Sequence, residues 1–467
     1  MKTRTKTRTK TLFYLFLLTF AFILCPLSFL LVSCNTTEPP PVNGNDKPKP
    51  KITLTVDDTS PTEVWLNLIT ENISLPDTLK LIRNNDTVKT IELFDSSYVI
   101  YEDSLLPSQS YSYQVTSIEY QVSSEPVTAV TMDTTSHDFT WEIFEFGEHG
   151  NSILRDVAII DENNIWAVGA IYLKDSTGAN DSKAYNAVHW DGIEWNYIRI
   201  NFPTICGQPN FTPYPANAIF YFGDGEVWIS SSGDKIAVLK NNLQQSQFCL
   251  PSEVAMSINK IWGTSSNNIY IVGGNGSIAH YNGTSWRKIE SPIGAGGTDV
   301  DLRDVTGNQN GTEIYISGYS TDYSKSVLMK LSNNVLNMIW ENKTLQDTPP
   351  YGSTVNSIKL LNNDLFIASN IGVFRKKLKY TLPDKKLYYP PRWVYKVTGT
   401  NVNDTYSVGD RLSITHFNGS SERQVFIDYS QVSPLYSADS KENIIVAVGT
   451  KVENVLYHKA IILIGRK

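Results

Sequence analysis

A short apolar element, often ending in glycine, recurs seven times along this chain. In order it reads Ile165-Trp166-Ala167-Val168-Gly169, Val227-Trp228-Ile229-Ser230, Ile269-Tyr270-Ile271-Val272-Gly273, Ile314-Tyr315-Ile316-Ser317-Gly318, Leu365-Phe366-Ile367-Ala368-Ser369, Thr405-Tyr406-Ser407-Val408-Gly409 and Ile445-Val446-Ala447-Val448-Gly449. Most of the copies follow one another after about 40–50 residues, the repeat length of a β-propeller blade. Each is preceded by a strand such as Ile153-Leu154-Arg155-Asp156-Val157 or Leu302-Arg303-Asp304-Val305. Several are followed by a strand that runs into a hairpin: His189-Trp190-Asp191-Gly192, His280-Tyr281-Asn282-Gly283 and His416-Phe417-Asn418-Gly419. Asp-Gly and Asn-Gly take the positive φ angles that a tight hairpin demands. The expected fold class is all-β.

The last copy runs out at Ile461-Ile462-Leu463-Ile464-Gly465, with no outer strand after it. The stretch Phe139-Thr140-Trp141-Glu142-Ile143-Phe144-Glu145-Phe146, ahead of the first copy, aligns with the outer strands at Trp195 and Trp286. It is therefore expected to complete the final unit and close the ring, leaving no long unpaired edge. The propeller then spans 139–467 with seven blades. Six or eight stay open as alternatives because the first interval is long and the fifth unit irregular.

These W-A-V-G…H-x-D-G-x-x-W units resemble the bacterial extracytoplasmic propellers, and more distantly the photosystem assembly-factor propellers and the sialidase-type repeats. The resemblance implies a fold more than an activity. Residues 51–135 read as a smaller β-sandwich of short alternating strands, among them Ile52–Val56, Val64–Leu68 and Leu79–Arg83, the last ending in the turn Asn84-Asn85-Asp86. The spacing of Leu105, Pro107, Tyr111 and Val115 resembles the tyrosine corner of fibronectin type III domains. That resemblance implies a spacer or stalk, with ligand binding as the other reading.

The N-terminus carries Lys2, Arg4, Lys6, Arg8 and Lys10 ahead of an apolar run from Leu12 to Val32. That is the layout of a secretory leader. Leu31-Val32-Ser33-Cys34 closes it and resembles the bacterial lipobox, which implies a signal peptide over 1–33 and lipidation of Cys34. Cys25 follows the bulky Leu24 and fits that pattern less well. An uncleaved transmembrane anchor is the alternative, since about 20 apolar residues span a bilayer. Both place the rest outside the cytoplasm. By analogy with enteric bacteria, Asn35 after the cysteine points to the outer membrane. Residues 34–50, rich in Pro and Asn, read as a flexible linker. The formal charge of −7 becomes more negative once the leader's five cations are gone. Nucleic acid and anionic lipid head groups are thereby excluded as expected partners.

Residues that could carry chemistry form no reactive set. His189, His280 and His416 occupy one repeat position in separate blades, which argues against a shared metal. Arg155-Asp156 and Arg303-Asp304 read as blade-to-blade pairs. Cys206 and Cys249 are either a disulfide or two unpaired thiols. The chain lacks a P-loop, H-E-x-x-H, G-x-S-x-G and an EF-hand loop, and Tyr281-Asn282-Gly283-Thr284-Ser285-Trp286 only partly echoes the sialidase Asp-box. Gly294-Ala295-Gly296-Gly297 lacks the strand-to-helix setting of a phosphate loop. No cofactor is expected. Variable connections then carry the function: Leu173–Ala184, Asn201–Pro215, Gly294–Asp299 and Lys376–Arg392 are the longest. Within the last, Tyr388, Tyr389, Arg392 and Trp393 read as exposed aromatics beside a cation and form the candidate ligand-contact patch. The expectation is a lipid-anchored, non-enzymatic protein of the cell envelope that binds or scaffolds protein or glycan. The alternative is a glycoside hydrolase or lyase with its site in the central funnel.

Overall fold

The computed structural model describes residues 48–291, 300–342, 350–389, 393–430 and 432–467. Cys34, Gly294–Gly297 and Arg392 lie outside the described residues. Residues 153–198, 216–249, 258–288, 300–342, 355–388 and 394–426 each form one four-stranded antiparallel sheet, called blades 1 to 6. Blade 7 takes its first three strands from 435–466 and its outermost strand, Thr140–Phe146, from ahead of blade 1. That strand pairs antiparallel with Tyr457–Arg466, from Ala460 opposite Phe146 to Arg466 opposite Thr140. The innermost strand of every sheet lies against those of its two neighbours, and the last returns to the first, Leu435–Lys441 against Ile153–Asp161. This closed cycle of sheets is a β-propeller.

Apolar side chains fill the spaces between blades. Blades 7 and 1 share Ile165, Val188, Val446, Val448 and Ile462, all inaccessible to solvent. Blades 1 and 2 share Trp166, Val168, Ile229 and Ala237. Each large aliphatic side chain buried this way contributes about 1.5–3 kcal/mol. Strands buried on both faces are why the repeated element is apolar throughout and does not alternate. Trp166 stacks on His189 at 4.4 Å, Tyr270 on His280 at 4.3 Å and Tyr406 on His416 at 4.8 Å. The Nε2 of each imidazole bonds its own blade, at Asn164 Oδ1, Asn268 Oδ1 and Asp404 Oδ1 respectively. Burial holds all three imidazoles below their ordinary pKa. In the hairpin that follows, Asp191, Asn282 and Asn418 each accept two backbone N–H groups with one side-chain oxygen. This is the Asx-turn chemistry those residues supply.

The smaller domain is a sandwich of a three-stranded sheet (Lys51–Thr59, Val64–Glu71, Ser97–Glu102) and a four-stranded one (Asp86–Leu93, Asp77–Arg83, Ser110–Ser117, Val127–Val130). Asn84 and Asn85, at φ 51° and 75°, make the expected turn. The Tyr111 hydroxyl accepts the Leu106 backbone N–H at 2.9 Å. Val64, Leu66 and Leu68 face the sandwich core. Trp65 points the other way and is nevertheless 1% exposed, because it is covered by blade 5. Tyr380 stacks on it at 6.0 Å, and the Lys377 ammonium sits 4.1 Å from its ring.

Glu63, buried beside Trp65, accepts from Arg375, from Lys385 at 2.7 Å and from Tyr101 at 2.9 Å. Asp58 and Asp57 receive Lys377, at 2.6 Å, and Lys379, at 2.5 Å. Pro50–Lys467 is one compact unit, so the sandwich is clasped to the propeller.

Candidate functional site

Each innermost strand carries a β-bulge at the same place. Ladder pairing skips Arg155, Asn217, Asn259, Arg303, Asn356, Tyr395 and Tyr436, one residue per blade. A bulged residue is re-aimed out of the pleat, and all seven line one cavity of about 200 Å³ at the mouth of the central channel. The bulge also explains the glycine that ends most copies of the repeated element. Gly273 and Gly449 stand opposite the residue that precedes the bulge. A Cβ on either would lie 2.0 Å from a carbonyl oxygen, of Ser257 or Pro434.

The seven are not alike. Asn217, Asn259 and Asn356 donate Nδ2 to main-chain oxygens of the next blade, at 2.6, 3.0 and 2.6 Å, and so tie the ring together. Arg303 donates to Asp301 at 3.0 Å and lies 5.1 Å from the Tyr319 ring. Its Nε and the buried Asn356 Oδ1 have no partner among the described residues. Tyr395 and Tyr436 meet edge to face at 5.6 Å. Burial and the Asp410 carboxylate push the Tyr395 hydroxyl above its ordinary pKa. Arg155 is exposed, and its guanidinium has no hydrogen-bond or ion-pair partner among the described residues. A second hollow of about 460 Å³ shares Arg155, Tyr395 and Tyr436 with the first.

One residue deeper, charges close the channel. Lys260 donates to both oxygens of Asp156 at 2.7 Å, and Lys396 to Asp304 at 2.6 Å. Asp156 also accepts from Ser437 and from the Ile219 backbone N–H, and Asp304 from Ser357 and the Ile358 N–H. These bonds across blades satisfy edge N–H groups that would otherwise face an empty channel. Burial by itself would raise Asp304, but Lys396 and Lys260 outweigh it and hold the carboxyl below its ordinary pKa. Of Arg155-Asp156 and Arg303-Asp304, the acids pair from blade to blade as expected and the arginines do not. The bulge turns each arginine to the mouth and leaves its neighbouring acid to a lysine two blades on.

Antiparallel order places the bulges, near the start of each innermost strand, on the face that carries the long connections Leu173–Ala184 and Asn201–Pro215. Cys206, in the second of these, is bonded to Cys249 at the end of blade 2. The sandwich grips the opposite face, at Lys377, Lys379, Tyr380 and the turn residue Asn403. Lys376–Arg392 is not one open connection, since Lys385–Tyr388 is the outer strand of blade 5. That strand takes Tyr388 out of the expected aromatic patch. Tyr388 is buried between blades 5 and 6, where its hydroxyl donates to Ser407 Oγ at 2.8 Å. Tyr389 is 77% exposed, with the Lys386 ammonium 3.3 Å from its ring centre. Trp393 is half-buried against Tyr323 at 5.8 Å.

The bulge ring had a sequence signal. Leu154-Arg155-Asp156-Val157, Ile258-Asn259-Lys260-Ile261 and Val394-Tyr395-Lys396-Val397 each set two non-aliphatic residues between aliphatic ones. That breaks strand alternation as a bulge does.

Comparison with solved structures finds propellers. The chain is similar to "YCF48 bound to D1 peptide", with TM-score 0.48 and 16% identity over 72% of this chain and 100% of that one. It is also similar to the WD40 β-propeller domain of Doa1, with TM-score 0.42 and 12% identity over 70% and 97%. The computationally designed Ika8 protein gives TM-score 0.42 and 10% identity over 68% and 98%. No family model and no curated protein matches the chain.

Proposed function

We propose that this chain is a lipid-anchored binding or scaffolding protein of the bacterial cell envelope that holds a protein segment or glycan in the bulge-lined funnel. The observation that carries the reading is Arg155. An exposed guanidinium, left without a counter-ion beside two tyrosines and on the face away from the sandwich, is built for a partner and not for the fold. Desolvated arginine and tyrosine at the centre of a concave site are the residues that dominate interface energies. We read the propeller as seven-bladed and the sandwich as fibronectin type III-like, the latter supported by its strand order and by the Tyr111 hydroxyl bond. Lipidation at Cys34 and export rest on the leader; acyl-modified N-terminal peptides in the mass spectrum of membrane fractions test them.

The test of binding is a glycan-array screen together with cross-linked pull-down from envelope extracts, run with the wild type and Arg155→Ala. The expected outcome is one class of ligand retained by the wild type and weakened at least tenfold by R155A at unchanged melting temperature. Equal capture by both proteins refutes the funnel as the site.

A second reading, a carbohydrate-active hydrolase or lyase, is favoured by the convergence of Arg155, Arg303, Tyr319, Tyr395 and Tyr436 above Asp156 and Asp304. Both acids are saturated by lysine, serine and backbone donors, which leaves neither as a ready proton donor. Glycan turnover by the purified protein that is lost on Tyr436→Phe would establish this second reading.

A further inference from the structure

The charged quartet divides the channel, and beyond it lies a further cavity of about 410 Å³ opening on the face of tight turns. Each blade adds to its wall the residue two positions on from the quartet tier: Ala158, Phe220, Trp262, Thr306, Lys359, Thr398 and Asp439. The tier is split by chemistry. Blades 2 and 3 present the half-buried rings of Phe220 and Trp262, and blades 5 to 7 present an ammonium, a hydroxyl and a carboxylate.

Most of the polar groups are already engaged. Asp439 accepts the Ile159 N–H at 3.0 Å and the Ser440 N–H at 2.9 Å. Thr306 accepts the Leu360 N–H, and Lys441, at the rim, donates to the Ile160 carbonyl at 2.5 Å. Lys359 has no hydrogen-bond or ion-pair partner among the described residues. The ammoniums of Lys260 and Lys396 lie at the floor, with their carboxylates towards the other cavity.

We infer that this cup binds a small anion consisting of one six-membered ring with a carboxylate, the ring face against Trp262 and Phe220 and the carboxylate on Lys359. A volume of this order suits a ligand of that size, and aromatic walls with a few convergent polar groups are the make-up of small-molecule sites. The ring chemistry has two sources, a sugar acid or an aromatic acid. The site lies on the face opposite the funnel and stands or falls independently of it.

The test is titration calorimetry of the mature protein with galacturonate and with 4-hydroxybenzoate, and with glucose and benzyl alcohol as uncharged counterparts. Saturable binding of one acid and no binding of its uncharged counterpart is expected, and which acid binds identifies the ring. Lys359→Met should weaken binding at least tenfold with an unchanged melting temperature, Lys359→Arg should retain most of it, and ligand-induced fluorescence change should vanish in Trp262→Phe. No binding of either acid, equal binding of the uncharged compounds, or undiminished binding by K359M overturns the inference.

Discussion

Glu63→Gln removes one negative charge from a carboxylate on which Arg375, Lys385 and Tyr101 converge. The side chains of Glu63 and Arg375 are 1% and 5% exposed, so the variant leaves a guanidinium buried without its main counter-ion. Removing one partner of a buried pair costs about 3–5 kcal/mol. Asp364 Oδ2 remains 3.8 Å from Arg375 Nε, which places the expected loss near the lower end, about 3 kcal/mol.

The titration of Glu63 supports the same magnitude. Burial would raise the carboxyl, but Arg375 and Lys385 outweigh it and hold it down to about 2, against an ordinary value of 4.5. A depression of that size corresponds to about 3 kcal/mol. Because the folded value is the lower one, this stabilisation is complete above about pH 4.5 and disappears as pH falls towards 2.

The assay is differential scanning calorimetry of the mature protein with limited proteolysis between Asp133 and Asp138. At neutral pH the wild type is expected to melt without a separate sandwich transition. In E63Q the sandwich should melt first, about 12 °C or more lower, taking about 4 °C per kcal/mol for a domain of this size. The segment joining it to blade 7 should become cleavable. Near pH 2 the two proteins should converge. An E63Q protein that melts in one transition within about 2 °C of the wild type at neutral pH would refute the clasp as a contributor to stability.

Other outcomes follow from the same geometry. Gly273→Ala drives a Cβ to 2.0 Å from the Ser257 carbonyl oxygen, and overpacking against backbone should cost about 1–3 kcal/mol or more in chemical denaturation. Gly178→Ala, with no atom within 4 Å of its Cβ and a φ of 83°, should show only the smaller cost of a positive φ. Deleting Phe139–Phe146 should expose the edge of Tyr457–Arg466 and cause aggregation on size-exclusion chromatography, whereas truncation before Lys51 should not. Equal solubility of the two truncations would count against the seam.

Much of the scaffold was legible because it is local. Ile165–Gly169 announces a strand, and His189-Trp190-Asp191-Gly192 announces a strand running into a turn, each within a few positions. Asn84-Asn85 takes the positive φ angles of its hairpin whatever surrounds it. The seam strand, distant in sequence, was recognisable because Trp141 repeats the outer-strand pattern of a unit that the C-terminus leaves unfinished. The exposure of Tyr388 was misread for the opposite reason. Tyr388 and Tyr389 look alike in sequence, but one falls on the side of a short outer strand that faces blade 6 and the other falls past its end.

Repeat length, apolar runs and turn chemistry are properties of neighbours along the chain, and they were enough to define strands, their antiparallel pairing within a unit, and the closing of the ring. Which side chains meet at its centre depends on seven bulges re-aiming residues drawn from seven sheets. Arg155, Arg303 and Tyr436 come together only when the cycle closes. The acid next to each arginine is taken by a lysine two blades away, and Arg303 is paired only because its own strand also carries Asp301. Trp65 and Glu63 carry the same lesson in the sandwich, since only the packed partner turns an outward-facing tryptophan and acid into a buried clasp.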